Sequence, residues 1–170
     1  VGSKGESSAY FSENGVLFRR NFQEGKVELA IFPYAKDGSY VMPDGVSSIP
    51  AVAFRDSKIT EISLPYTMST VGRNAFASCD NLTSIIFRDV TEGVDVDRST
   101  LSLTVEFGAF YTGNSSNLKK LYLPAWISDL DYVSDEDFKS ANIDITNVDK
   151  YTSPEGNLKM LSGKANYSNN

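Results

Sequence analysis

Histidine does not occur anywhere in the 170-residue chain. That absence excludes Ser-His-Asp and Cys-His nucleophile systems, histidine general acid–base catalysis and the common histidine-bearing zinc and iron sites. A single cysteine, Cys79, excludes an internal disulfide framework and a cysteine-only zinc site. Apolar runs extend over a few residues only, too short to span a membrane. Basic residues are outnumbered, 16 against 22 acidic, and the net charge of −6 argues against nucleic acid or anionic lipid as the main partner. Glycine-rich phosphate loops are missing, because the glycines stand singly at turns. Carboxylate-only chemistry survives these exclusions, but neither Asp-Thr-Gly nor Asp-Ser-Gly occurs and no cleft-forming element is evident. The chain is therefore expected not to be an enzyme and to need no cofactor. With 41% hydrophobic and 22% charged residues it has the make-up of one folded domain.

What the chain does contain is a repeat. Ile62-Ser63-Leu64-Pro65 is followed by Met68, Val71 and Ala75-Phe76. Twenty-two residues earlier, Tyr40-Val41-Met42-Pro43 is followed by Val46, Ile49 and Ala53-Phe54. A third pair, Ala109-Phe110, has Val105 four residues before its alanine, as Ile49 and Val71 precede theirs. Alternating triplets mark the strands: Tyr40-x-Met42, Ile62-x-Leu64, Ile85-x-Phe87, Leu121-x-Leu123 and Ile143-x-Ile145. Their starts are 22, 23, 36 and 22 residues apart, so the long interval is one coil plus an insertion. Pro43, Pro65 and Pro124 follow their triplets directly, where a missing N–H ends a ladder. One 22-residue coil cannot bury its own apolar side, so neighbours must stack, triplet beside triplet at roughly 4.8 Å.

The run Ile62-Ser63-Leu64-Pro65, Met68, Val71-Gly72, Ala75-Phe76, Cys79, Leu82, Ile85 resembles the BspA-like leucine-rich-repeat family, over about residues 40 to 130. Pro50 departs from the pattern by replacing its glycine, and Tyr132 to Asp135 lack the Ala-Phe pair. The resemblance implies a bacterial cell-surface or secreted protein, its export signal removed, with adhesion or protein–protein binding as its role. The expected fold is an α/β solenoid, mostly β: a short, right-handed leucine-rich-repeat solenoid with a β-hairpin N-terminal cap.

The domain organisation follows. Residues 1–9 read as disordered or linker. Residues 10–39 read as the hairpin cap, from Gly15 to Arg19 and Gly25 to Ile31. Residues 40–150 form about five rungs with an insertion at 88–104. Residues 151–170 are a C-terminal cap or the remnant of a further unit, because Tyr151-x-Ser153-x-x-Gly156-x-Leu158 repeats Tyr10-x-Ser12-x-x-Gly15-x-Leu17 at an offset of 141 residues.

Acidic residues cluster twice, at Asp89, Glu92, Asp95 and Asp97 and at Asp129, Asp131, Asp135, Glu136 and Asp137. Both lack the spacing of a complete calcium loop and read as solvated surface. Cys79 reads as a small buried filler. The residues that point to binding are aromatic. Tyr66, Tyr122 and Trp126 fall at outward positions, and Tyr111 opens the loop Tyr111-Thr112-Gly113-Asn114. Tyrosine and tryptophan anchor protein partners and also suit sugar rings. The expected function is thus a non-catalytic surface module whose partner is a protein or extracellular-matrix ligand. A carbohydrate-binding module, or a spacer that displays another domain, is the alternative.

Overall fold

The structure, a computed structural model, describes residues 8–90, 92–97, 100–110, 112, 118, 120–124, 130–132 and 158–160. The chain opens with an antiparallel meander of β1 (Tyr10–Glu13), β2 (Val16–Asn21) and β3 (Lys26–Ile31). Asn14 and Gly15 both take positive φ, 51° and 79°, so two residues suffice to turn β1 back onto β2 with the twist the strands require. Asn21 Oδ1 accepts the backbone N–H groups of Gln23 and Glu24 and so shapes the turn into β3. A register shift sets Leu17 opposite Ile31 but Phe18 opposite Leu29. It keeps Phe18 and Leu29 buried while Ile31 turns out to solvent. The two-stranded hairpin read from the sequence is therefore the second half of a three-stranded unit.

From β4 to β11 every strand pairs in parallel with a neighbour, and the chain alternates between two sheets. One sheet runs β1-β2-β3-β5-β7-β9-β11, with β5 at Val46–Ile49, β7 at Thr70–Val71, β9 at Leu103–Val105 and β11 at Leu130–Tyr132. The other runs β12-β10-β8-β6-β4, with β4 at Asp37–Val41, β6 at Lys58–Leu64, β8 at Ser84–Phe87, β10 at Lys120–Pro124 and β12 at Leu158–Met160. Tyr40, Ile62, Ile85 and Leu121 lie abreast in this second sheet, in the register that the repeat spacing requires. On its far side β10 pairs antiparallel with β12. The Ile143-x-Ile145 triplet lies outside the described residues.

The core fills the space between the sheets. Tyr40, Met42, Ile62, Leu64, Ile85 and Phe87 enter it from one sheet, and Val46, Ile49, Val71, Leu103 and Val105 from the other. Burying each such side chain contributes about 1.5–3 kcal/mol. Along one wall the phenylalanines follow one another, tilted at 4.5 Å from Phe32 to Phe54 and stacked at 4.9 Å from Phe54 to Phe76 and 6.2 Å from Phe76 to Phe110. Phe32 begins this column from just after β3, so the repeat's aromatic pattern starts one coil before Phe54.

An α-helical component does not appear among the described residues, in contrast to the α/β class read from the sequence. The reason is local. Between strands the backbone enters the left-handed region at Val52 and Asp56, and again at Asn74 and Ser78, which interrupts any helical run. These turns hydrogen-bond to the next coil as well as within themselves: Val52 N–H to the Arg73 carbonyl at 3.0 Å, Phe54 N–H to Ala75 at 2.8 Å and Asp56 N–H to Ala77 at 3.0 Å. Side-chain hydroxyls tie the coils in the same way. Ser47 donates to the Val27 carbonyl and Ser69 to the Ser47 carbonyl, at 3.1 and 3.0 Å.

Candidate interaction face

Strand alternation decides which residues of the second sheet face outward. Buried Tyr40, Ile62 and Ile85 alternate with Val41, Ser63 and Ile86, which sit abreast in register, and Tyr122 of β10 takes the same register position beside Ile86. Val41 is 63% exposed and Ile86 half-buried. A parallel row beside it carries Ser39, Glu61 and Ser84, where Ser84 Oγ donates to Glu61 Oε2 at 2.8 Å. One row is thus mostly apolar and its neighbour polar.

Arg88 holds the rim of this face. It follows β8 at the position that Pro65 occupies after β6. Its own N–H donates to the Leu64 carbonyl at 2.8 Å, but Pro65 has no N–H to offer the Met42 carbonyl one rung earlier. Arg88 Nη2 reaches across two coils and donates to that carbonyl at 2.8 Å, while Nη1 donates to Ser63 O and Oγ, each at 3.2 Å. Asp44 pairs with the guanidinium from the exposed side. An unpaired buried carbonyl is costly, so the side chain restores the bond that the proline removed.

Of the four aromatics singled out from the sequence, the structure places Tyr122 on the strand beside Ile86. Tyr66 stands apart, half-buried and one residue beyond Pro65. Tyr111 and Trp126 lie outside the described residues. Sequence reasoning missed Val41 and Ile86, although the signal was present. They are the middle residues of their triplets, at positions where the solvent face of a sheet is normally polar.

The remaining reactive groups are enclosed. Cys79 is fully buried, its Sγ donates to the Phe54 carbonyl at 2.9 Å, and burial pushes its thiol up to about 12. Burial likewise pushes the Tyr40 phenol up to about 12, and its hydroxyl has no hydrogen-bond partner among the described residues. Among those residues no three carboxylate or thiol groups gather into a potential metal site, and no helix is long and apolar enough to cross a membrane.

Parallel strands repeated at 22–23-residue spacing, a column of stacked phenylalanines and turns bonded coil to coil define a leucine-rich-repeat protein. The model of the BspA type leucine-rich repeat region matches residues 26–153 in six copies, and the chain belongs to that family. The match begins at Lys26, the first residue of β3, which is also the first strand to pair in parallel with a later one. A crystal structure of a leucine-rich repeat protein from Bacteroides capillosus is similar in fold, with a TM-score of 0.57, 20% identity, and coverage of 73% of this chain and 88% of that one. A leucine-rich cell surface protein from Faecalibacterium prausnitzii aligns at a TM-score of 0.49 and 17% identity, over 82% of this chain and 44% of its own. No curated protein matches the chain.

Proposed function

We propose that this chain is a non-catalytic binding module of the bacterial cell surface, and that it holds a protein partner on the outer face of the sheet β4-β6-β8-β10. In this reading the coils wind into a right-handed solenoid, the hand that parallel crossovers favour, and the meander of β1 to β3 covers its first coil. The observation that carries the proposal is the outward row Val41, Ser63 and Ile86, with Tyr122 at the same register position on β10. Apolar and aromatic residues at the centre of an otherwise polar face are the composition of an interface core. Adhesion to a matrix protein is one form of this role. The absence of histidine supports a module without catalysis.

The experiment compares capture of proteins from host and bacterial surface extracts by the chain and by two variants. Ile86→Lys places a charge in the centre of the row, and Thr70→Lys places one on the opposite sheet. Capture that Ile86→Lys abolishes and Thr70→Lys preserves supports the face. Equal capture by all three removes it and favours a spacer that displays another domain.

A further inference from the structure

The opposite sheet carries a site of different chemistry. Its register sets Tyr10, Arg19, Glu28 and Ser48 abreast on β1, β2, β3 and β5. Together with Leu29, Ala30 and Pro50 they line an open depression of about 310 Å³. Tyr10 is 48% exposed, and the side chains of Arg19 and Glu28 are 51% and 19% exposed. Arg19 donates from both Nε and Nη2 to a single oxygen, Oε2 of Glu28. Glu28 raises the guanidinium's pKa, and the Tyr10 hydroxyl beside it adds to the effect.

The charge balance selects the ligand class. An anion drawn to Arg19 meets the Glu28 carboxylate, and a cation drawn to Glu28 meets the guanidinium, so neither sign is favoured. Arg19 Nη1 and Glu28 Oε1 take no part in this pairing, which leaves a donor on one side chain and an acceptor on its neighbour. Adjacent hydroxyls of a neutral polyol match that pair, each able to give and take a hydrogen bond. The exposed Tyr10 ring supplies a flat apolar surface for the C–H face of such a molecule. Ligand sites span roughly 300–1,000 Å³, and this depression lies at the small end, room for one ring with an open side for whatever is attached to it. We infer that the depression holds a single neutral pyranose, the terminal sugar of a glycan. This inference stands on the first sheet and is independent of the protein-binding face on the second.

Saturation-transfer NMR tests it, with the methyl glycosides of glucose, galactose, mannose and N-acetylglucosamine as probes and N-acetylneuraminic acid as the anionic comparison. At least one neutral glycoside is expected to saturate with a Kd on the order of 1 mM. Tyr10→Ala should weaken it about tenfold, the usual scale for a lost aromatic contact. Ser48→Tyr, which fills the depression from β5 and changes no residue of the meander, should abolish it, whereas Ile86→Lys on the other sheet should leave it unchanged. Thermal melts of each variant establish that the fold is kept, and Ser48→Tyr decides the matter if Tyr10→Ala loosens β1. The inference is overturned if no neutral glycoside saturates, if Ser48→Tyr binds as the parent does, or if the anionic sugar binds more tightly.

Discussion

Successive coils solve the same geometric problem with different residues, and the differences show what the fold demands. Val52, Asn74 and Gly108 each stand just before an Ala-Phe pair, and all three have left-handed backbone, at φ 55°, 52° and 64°. Gly and Asn visit this region readily, whereas a β-branched residue there is strained. Val52 is held in place by its N–H bond to the Arg73 carbonyl of the next coil. Two residues earlier the contrast reverses. A Cβ on Gly72 would lie 2.6 Å from Ala51 N and 2.7 Å from the Pro50 carbonyl carbon, so the second coil needs glycine because the first coil's backbone lies against it. Pro50, at the matching position, is exposed. The repeat therefore imposes backbone conformations, and each coil's neighbours decide which side chains they permit.

The largest expected effect comes from closing that approach. Gly72→Ala should destabilise the chain by about 3 kcal/mol or more, because backbone cannot move aside as a side chain tip can, whereas Pro50→Ala should stay within about 1 kcal/mol in urea denaturation. Equal effects would mean that the two coils are not in van der Waals contact there. Next is the rim. Arg88→Ala should cost about 1–3 kcal/mol by stranding the Met42 carbonyl, and Arg88→Lys should recover only part of it, since one ammonium cannot serve both Met42 and Ser63.

An exchange of residues sharpens the left-handed comparison. Val52→Asn should stabilise by about 1 kcal/mol and Asn74→Val should destabilise by a similar amount, both read from thermal melts. Changes of the same sign would locate the strain elsewhere.

Ser57 and Cys79 are a further matched pair. Ser57 Oγ accepts the Ile59 N–H at 3.3 Å, whereas Cys79 donates back to Phe54. Burial raises the Cys79 thiol from 9.0 to about 12 and the Tyr40 phenol from 10.0 to about 12. Both groups are protonated in the fold and titrate earlier when unfolded. Their contribution is therefore complete below pH 9, is lost first through Cys79 as pH rises from 9, and is gone by about 12. Cys79→Ser should cost about 1 kcal/mol at neutral pH and flatten the loss between pH 9 and 10. In the native parent, thiol reagents should label Cys79 only as fast as the fold opens.

Much of this architecture was legible because a repeat multiplies weak signals. The triplets, their prolines and the Ala-Phe pairs recur at one spacing, so strand positions and their register could be read together. The short strands β5, β7 and β9 were visible only as single apolar residues such as Ile49 and Val71, because two to four residues carry too little alternation to identify a strand. The Asn14-Gly15 turn, a strong hairpin signal, was available and would have revealed β1. On the interaction face, Val41 and Ile86 were readable as apolar residues at outward positions. The depression at Tyr10, Arg19, Glu28 and Ser48 was not, because it depends on three strand pairings and on the register shift between β3 and β5.

Sequence alone determined the period of the coils, the residues that face inward and the points where strands stop. Those properties arise from side-chain polarity and backbone restriction within a few neighbouring residues. Only the tertiary structure decided that Arg88 completes a hydrogen bond at Met42, 46 residues away, that Gly72 must be bare and that Val52 bears strain. Each of these depends on the backbone of another coil, which occupies its place only after the stack has formed.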